Sequence, residues 1–125
     1  MEAIKHAGGA NLVAVELKWI DSETITSDNV AKKLKDVDGI IVPGGFGERG
    51  VEGMIVACQY ARIHKLPYLG ICLGMQVTVV EYARDVVGFK DATSGEFAHT
   101  AHTVIDIKKK KKGKEIGGTM RLGSY

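Results

Sequence analysis

One hundred and twenty-five residues suit one modest α/β domain and are too few for two. Hydrophobic residues at 45% and charged residues at 26% are ordinary for a soluble globular protein, and a formal net charge of only +2 gives no reason to expect a nucleic-acid partner. No apolar run approaches the ~18 residues of a membrane span, no basic-then-apolar leader opens the chain, and two cysteines make no disulfide framework, so a soluble protein in a reduced, cytoplasmic setting is expected.

In chain order, MEAIKHAGG reads as the end of a helix stopped by Gly8 and Gly9. Residues 12–20, LVAVELKWI, carry Val13, Val15 and Leu17 at the period of two that marks a strand, with Trp19 as a packing residue at its end. DSETITSDN is polar and loop-like, and Ser27 or Asp28 is placed to cap a helix through VAKKLKDV, residues 30–37. DGIIVPGG is a short buried strand ending in glycines. VEGMIVACQYARIH, residues 51–64, is helical, with Met54, Ala57, Cys58 and Ala61 sharing an apolar face, which makes Cys58 a core thiol. LPYLGI is the next strand and LGMQVTVVEYARDVV, residues 73–87, the helix after it. HTVIDI reads as a last strand, Lys108 to Lys112 as a solvated loop rather than a phosphate-binding patch, and TMRLGS as a further short strand. Strands alternating with helices point to a parallel sheet covered on both faces.

Cys72 sits where the strand passes directly into the helix, flanked two residues away by Gly70 and Gly74. G-x-C-x-G is the cysteine form of the nucleophile elbow. The turn is tight, and side chains at the two glycines would collide with the crossing strand and helix. A cysteine there also meets the positive end of the helix dipole, which favours its thiolate. A buried cysteine ending a core strand is the simpler reading, but the spacing and the strand-to-helix context argue against it. The second informative segment is GIIVPGGFGERGVEG, residues 39–53. Its loop leaves a strand at the same sheet edge, and Gly44 and Gly45 let backbone N–H groups approach a ligand, as an oxyanion hole requires. The Leu73 amide, just after the nucleophile, is the natural second donor. The loop lacks both nucleotide-binding glycine patterns.

PGGFGERGVEGM, PYLGICLGMQ, SGEF and GGTMRLGSY, in this order and spacing, resemble the glutaminase domain of the CTP synthase family, a class I, triad-type glutamine amidotransferase. The resemblance implies an open, doubly wound, mostly parallel α/β sheet with flavodoxin-like layering and helices on both faces. It implies hydrolysis of L-glutamine through a γ-glutamyl thioester on Cys72. The ammonia would pass to a synthetase domain that uses ATP with Mg2+ to aminate UTP to CTP. Gly45 and Leu73 match the amides that bind the substrate carbonyl oxygen. Phe46, Gly74, Met75, Gln76 and Glu96 match the lining of the glutamine pocket, Glu96 being suited to the substrate ammonium. Arg49, Gly50 and Glu52 lie in the loop that the family uses in responding to GTP, an allosteric activator. The family implies a homotetramer; no cofactor or metal is expected within this chain, and no nucleic-acid or membrane partner.

Residues 1–125 read as a partial glutaminase domain. In the family the synthetase domain precedes the segment matching Met1, and the catalytic histidine, its glutamate partner and an arginine of the glutamine site follow the segment matching Tyr125. Of the four histidines, His6 belongs to the first helix, while His64 and His102 fall at the sheet edge away from Cys72. Only His99, three residues after Glu96, is placed to approach. The isolated chain is therefore expected to be inactive, and an unpaired sheet edge is expected to make it associate. Two other readings fit the elbow: a different cysteine γ-glutamyl hydrolase on the same fold, against which GGTMRLG and RGVEG speak, and a non-catalytic binding or regulatory module.

Overall fold

In the computed structural model, which describes residues 1–106, the elements follow one another as α1 (Glu2–Ala10), a 3-10 turn (Ser22–Thr24), α2 (Val30–Lys33), β1 (Ile40–Val42), α3 (Val51–His64), β2 (Tyr68–Gly70), α4 (Leu73–Tyr82) with a π-helical turn at its end (Ala83–Val87), β3 (Thr93–Ser94) and β4 (Thr103–Ile105). Ile107, the lysine run, TMRLGS and GGTMRLGSY lie outside the described residues. The α/β organisation with parallel strands is present. Strands β1 and β2 pair in parallel, with Ile40 opposite Tyr68 and Val42 opposite Gly70. Strands β3 and β4 form a second parallel pair with an irregular register, and within the described residues the two pairs are separate sheets. The strand at 93–94 was not expected, because two residues carry no periodicity to read.

Helix α3 occupies the expected span, and α4 with its π-helical turn fills the expected 73–87. Their apolar faces meet: Val51, Ile55 and Cys58 pack with Leu73, Val77 and Val80 in one buried cluster. Burying an aliphatic side chain of this size contributes roughly 1.5–3 kcal/mol, so this contact dominates the local stability. A fork of hydrogen bonds closes the same interface. Arg62 donates from Nε and Nη2 to the Glu81 carboxylate at 3.0 and 2.7 Å, and Glu81 is only 1% exposed. The opposite side of α3 meets Ile25, Val30 and Leu34 through Ala57, so Ala57 and Cys58 do not share the one face expected of them. Gly50 begins α3 in the left-handed region, at φ 73°, and a Cβ there would lie 3.4 Å from that of Ser22. Only glycine fits both demands.

Three expectations for the first third of the chain need correcting. Gly8 and Gly9 do not stop α1; at about 1 kcal/mol each relative to alanine they weaken a helix without ending it. Asn11 closes it, its side-chain amide donating to the Ala7 carbonyl at 2.8 Å. Residues 12–20 are not a strand. Leu12 turns left-handed at φ 55°, the Val13 N–H returns to the Gly8 carbonyl at 2.9 Å, and among the described residues no ladder forms along the segment. Alternation prepares a strand, but only pairing makes one. Trp19, 73% exposed, is consequently not a packing residue. The helix expected over 30–37 is one turn, Val30–Lys33, because Asp36 reverses the chain at φ 60°. Neither Ser27 nor Asp28 caps it. Asn29 stands at the cap, and its side chain bonds Thr26 N–H and the Thr24 carbonyl instead of the helix.

Candidate functional site

The register of β1 against β2 brings their C-terminal ends level, so the loop after Val42 and the turn after Gly70 leave from one edge. The Ile71 N–H continues the ladder to the Val42 carbonyl at 2.9 Å, and then the chain breaks sharply at Cys72, with φ 54° and ψ −107°. A non-glycine residue in that conformation costs of order 1–3 kcal/mol, and such strain persists only where the surroundings over-determine it. Here they do. A Cβ on Gly70 would strike the Gly74 carbonyl, and one on Gly74 would strike the Val42 carbonyl group, whose carbon lies only 2.9 Å away. Both glycines are therefore required by contact, one against the first turn of α4 and one against β1. The Cys72 carbonyl accepts the N–H groups of Met75 and Gln76, each at 3.1 Å, so Cys72 is the N-cap of α4. Its residue is exposed.

The glycine loop lies against this turn. A Cβ on Gly44 would be 3.3 Å from that of Cys72 and 3.9 Å from its Sγ, and one on Gly45 would be 3.3 Å from Cδ2 of Leu73. Gly45 and Leu73 are thus adjacent, and Leu73, as the first residue of α4, carries an N–H without an intrahelical acceptor. From 49 residues away in sequence, Glu96 joins the loop: its Oε1 accepts the Gly47 N–H at 3.0 Å. Phe46 and Met75 are both exposed beside them in the chain, at 72% and 54%. Gln76 points its Oε1 into the interior, buried and without a hydrogen-bond partner among the described residues. A buried acceptor without a donor is uncommon in folded proteins and suits a site that receives one from a ligand. Gln76 also lines a cavity of about 480 Å³ together with Glu48, Glu52, Arg84, Ser94 and Phe97, whereas Cys72 lies outside that lining.

Arg49, Gly50 and Glu52 stand at the start of α3, each engaged within the chain. Arg49 pairs with Glu23, Gly50 packs on Ser22, and the Glu52 carboxylate accepts both bonds of Arg84 Nη1 at 2.9 and 3.0 Å. Arg84 also donates Nε to the Ala92 carbonyl at 2.7 Å, linking α3 to the approach of β3. Sequence reading missed Arg84, and also Gly47 as the anchor of Glu96. Neither carries a local signal, because each acts across more than thirty residues or through a backbone group.

The two cysteines differ as expected in placement. Cys58 is 3% exposed, and burial pushes its thiol up. No histidine is hydrogen-bonded to Cys72 among the described residues. His64 donates Nδ1–H to the Tyr60 carbonyl at 2.9 Å and stacks on the Tyr60 ring. His102 stacks on Phe89 and donates to Asp91, and this bond holds the Asp91 carboxyl below its usual range. His6 belongs to α1. His99 packs beside Gly95, its Cε1 at 3.2 Å from where a Cβ there would stand. Among the described residues no helix is long and apolar enough to cross a membrane.

The sequence profile of the "Glutamine amidotransferase class-I" family matches residues 1–125. CTP synthase of Listeria innocua serovar 6a is 53% identical over 126 residues, covering 99% of this chain and 24% of the relative. CTP synthase of Clostridium beijerinckii is 55% identical over 127 residues, covering 100% of this chain and 24% of the relative. Among solved structures, the glutaminase domain of Trypanosoma brucei CTPS with bound acivicin superposes with a TM-score of 0.80 at 44% identity, covering 85% of this chain and 42% of that one. The chain spans about a quarter of the length of these curated relatives, 24%.

Proposed function

Because the chain belongs to the class I glutamine amidotransferase family and has its fold, we propose that it is the glutamine-hydrolysing part of a CTP synthase, with Cys72 as nucleophile. The observation that carries the reading is the strained turn at Cys72, held between two glycines with no room for a side chain and faced by Gly44 and Gly45. The Cys72 thiolate attacks the carboxamide carbon of L-glutamine, and the oxyanion that forms is received by the N–H groups of Gly45 and Leu73. The C–N bond then breaks, and the nitrogen leaves as ammonia after taking up a proton. Water attacks the remaining γ-glutamyl thioester, releasing glutamate and returning the thiol. Phe46, Gly74, Met75 and Gln76 line the glutamine pocket, with the orphan Gln76 acceptor offered to a substrate N–H. The Glu96 carboxylate receives the substrate's ammonium group while Gly47 steadies it.

In this reading Arg49, Gly50 and Glu52 belong to the loop through which GTP activates. The ammonia reaches a synthetase domain of the same enzyme, which uses ATP with Mg2+ to aminate UTP. The enzyme is a cytoplasmic homotetramer. The acid that protonates the leaving nitrogen and the base that activates water come from the family's histidine and its glutamate partner, outside residues 1–125. The 125-residue chain by itself is therefore expected not to turn glutamine over. Loss of a general acid-base group costs about 10²–10⁴-fold, and triad members act as a unit. The test is glutamate release from glutamine. The complete enzyme should release it and its Cys72→Ala variant should not. Residues 1–125 alone should be labelled at Cys72 by a glutamine-mimicking chloroketone without turnover. Glutamate release that survives Cys72→Ala would falsify the nucleophile assignment.

A further inference from the structure

Under the elbow, two hydroxyls converge on one carbonyl. Tyr68 Oη donates to the Gly74 carbonyl at 3.1 Å, and Thr78 Oγ1 donates to the same oxygen at 3.0 Å. A threonine bonding to the carbonyl four residues back is common in helices and by itself says little. A tyrosine reaching from the neighbouring strand into the first turn is not common. A half-buried phenol needs some partner, and Cys58 and Thr78 are among its hydrogen-bonding neighbours. Besides these, its hydroxyl is tied to the turn that follows Cys72. Burial pushes the Tyr68 hydroxyl up to about 12, so it remains a donor at neutral pH.

The Gly74 carbonyl shares a rigid peptide plane with the Met75 N–H, and that N–H donates to the Cys72 carbonyl at 3.1 Å. The same carbonyl is packed so closely on Gly70 that no Cβ fits there. The plane is thus fixed by two hydroxyls at its oxygen, by Gly70 at its side and by Cys72 at its N–H. Hydrogen bonds along such a chain also polarise one another, which strengthens the bond to Cys72. Resting on the reading of Cys72 as nucleophile, we infer that Tyr68 and Thr78 are positioning residues: their hydroxyls hold the 74–75 peptide and, through it, the strained backbone that presents Cys72 at the head of α4. Neither touches substrate.

The experiment measures alkylation of Cys72 and Cys58 by iodoacetamide in the native protein across pH, with site mapping by mass spectrometry. It compares Tyr68→Phe, Thr78→Val, the double variant and Thr78→Ser. Each hydroxyl removed should slow Cys72 labelling at pH 7 about fivefold, the worth of one hydrogen bond. Thr78→Ser, which keeps the hydroxyl, should restore the profile, and Cys58 should stay protected throughout. An unchanged Cys72 profile in the double variant overturns the inference. So does slowing matched by faster Cys58 labelling, since that marks general loosening of the α3–α4 core. Failure of the nucleophile reading looks different: Cys72→Ala would keep releasing glutamate.

Discussion

The elbow and the segment from Leu12 to Ile20 both contain a non-glycine residue at positive φ, Cys72 at 54° and Leu12 at 55°. Around Cys72, β1, β2 and α4 close in until two positions admit only hydrogen, and Leu73 beside it is buried. Around Leu12 the packing is lighter: Gly8 meets Val13 and Val15 too closely to carry a Cβ, but the Leu12 side chain is 96% exposed, and Val13 and Trp19 are largely in solvent. A positive φ is enforced by packing on every side in one place and accommodated in an exposed turn in the other. Strain that packing enforces is a resource for chemistry, whereas strain that is only permitted is a small loss of stability.

The largest test of that contrast is Gly74→Ala. Alanine would gain up to about 1 kcal/mol of helix propensity over glycine. Its Cβ, however, would run into the Val42 carbonyl group, backbone that can yield only if β1 and α4 separate. Overpacking costs about 1–3 kcal/mol where side chains can yield, and backbone yields less, so the steric effect wins. Urea unfolding should show the midpoint falling sharply. A midpoint at or above that of the parent protein would mean the elbow is not over-determined.

A smaller effect separates the two thiols. Cys72 is exposed at a helix N-terminus, while Cys58 is buried and its thiol pushed up by that burial. Labelling Cys58 requires local opening of the α3–α4 contact, and an opening free energy of ~3 kcal/mol makes it roughly a hundredfold slower. Timed alkylation with site mapping reads the ratio. Equal rates would place both cysteines in the same environment and remove the distinction between core and elbow.

Legibility in the sequence follows the same division. The elbow could be read because strand, glycine, cysteine, glycine and helix are contiguous, although only Gly70 answers a clash within a few residues and Gly74 answers one with Val42 on β1. Helix α3 was readable because fourteen residues give the 3.6-residue period room to show. Glu96 was assigned through resemblance alone, since its contact with Gly47 spans 49 residues and leaves no trace in spacing. Residues 12–20 misled because alternation describes what a strand would bury, not whether a partner pairs with it. At the cap, Asn29 displaced Ser27 and Asp28 because several residues were chemically suited, and hydrogen bonds within the turn from Thr24 to Asn29 chose among them. Tyr68 and Arg84 act through hydrogen bonds to backbone carbonyls six and eight residues along the chain, which no strand or helix period announces.

The smallest expected effect is at Leu12. A left-handed conformation costs an ordinary L-residue about 1–2 kcal/mol, and asparagine tolerates it better because its short polar side chain bonds locally. At 96% exposure the leucine side chain gives almost no burial in return. Leu12→Asn should therefore stabilise the protein slightly, by about 0.5 kcal/mol in urea unfolding, since relief of strain is partly offset by a looser unfolded chain. Glycine would gain less, because it surrenders more conformational freedom on folding. A loss of about 1 kcal/mol or more on Leu12→Asn would reverse the comparison. It would mean that the leucine is covered in the intact protein, and that the segment after α1 is held by packing as firmly as the turn at Cys72.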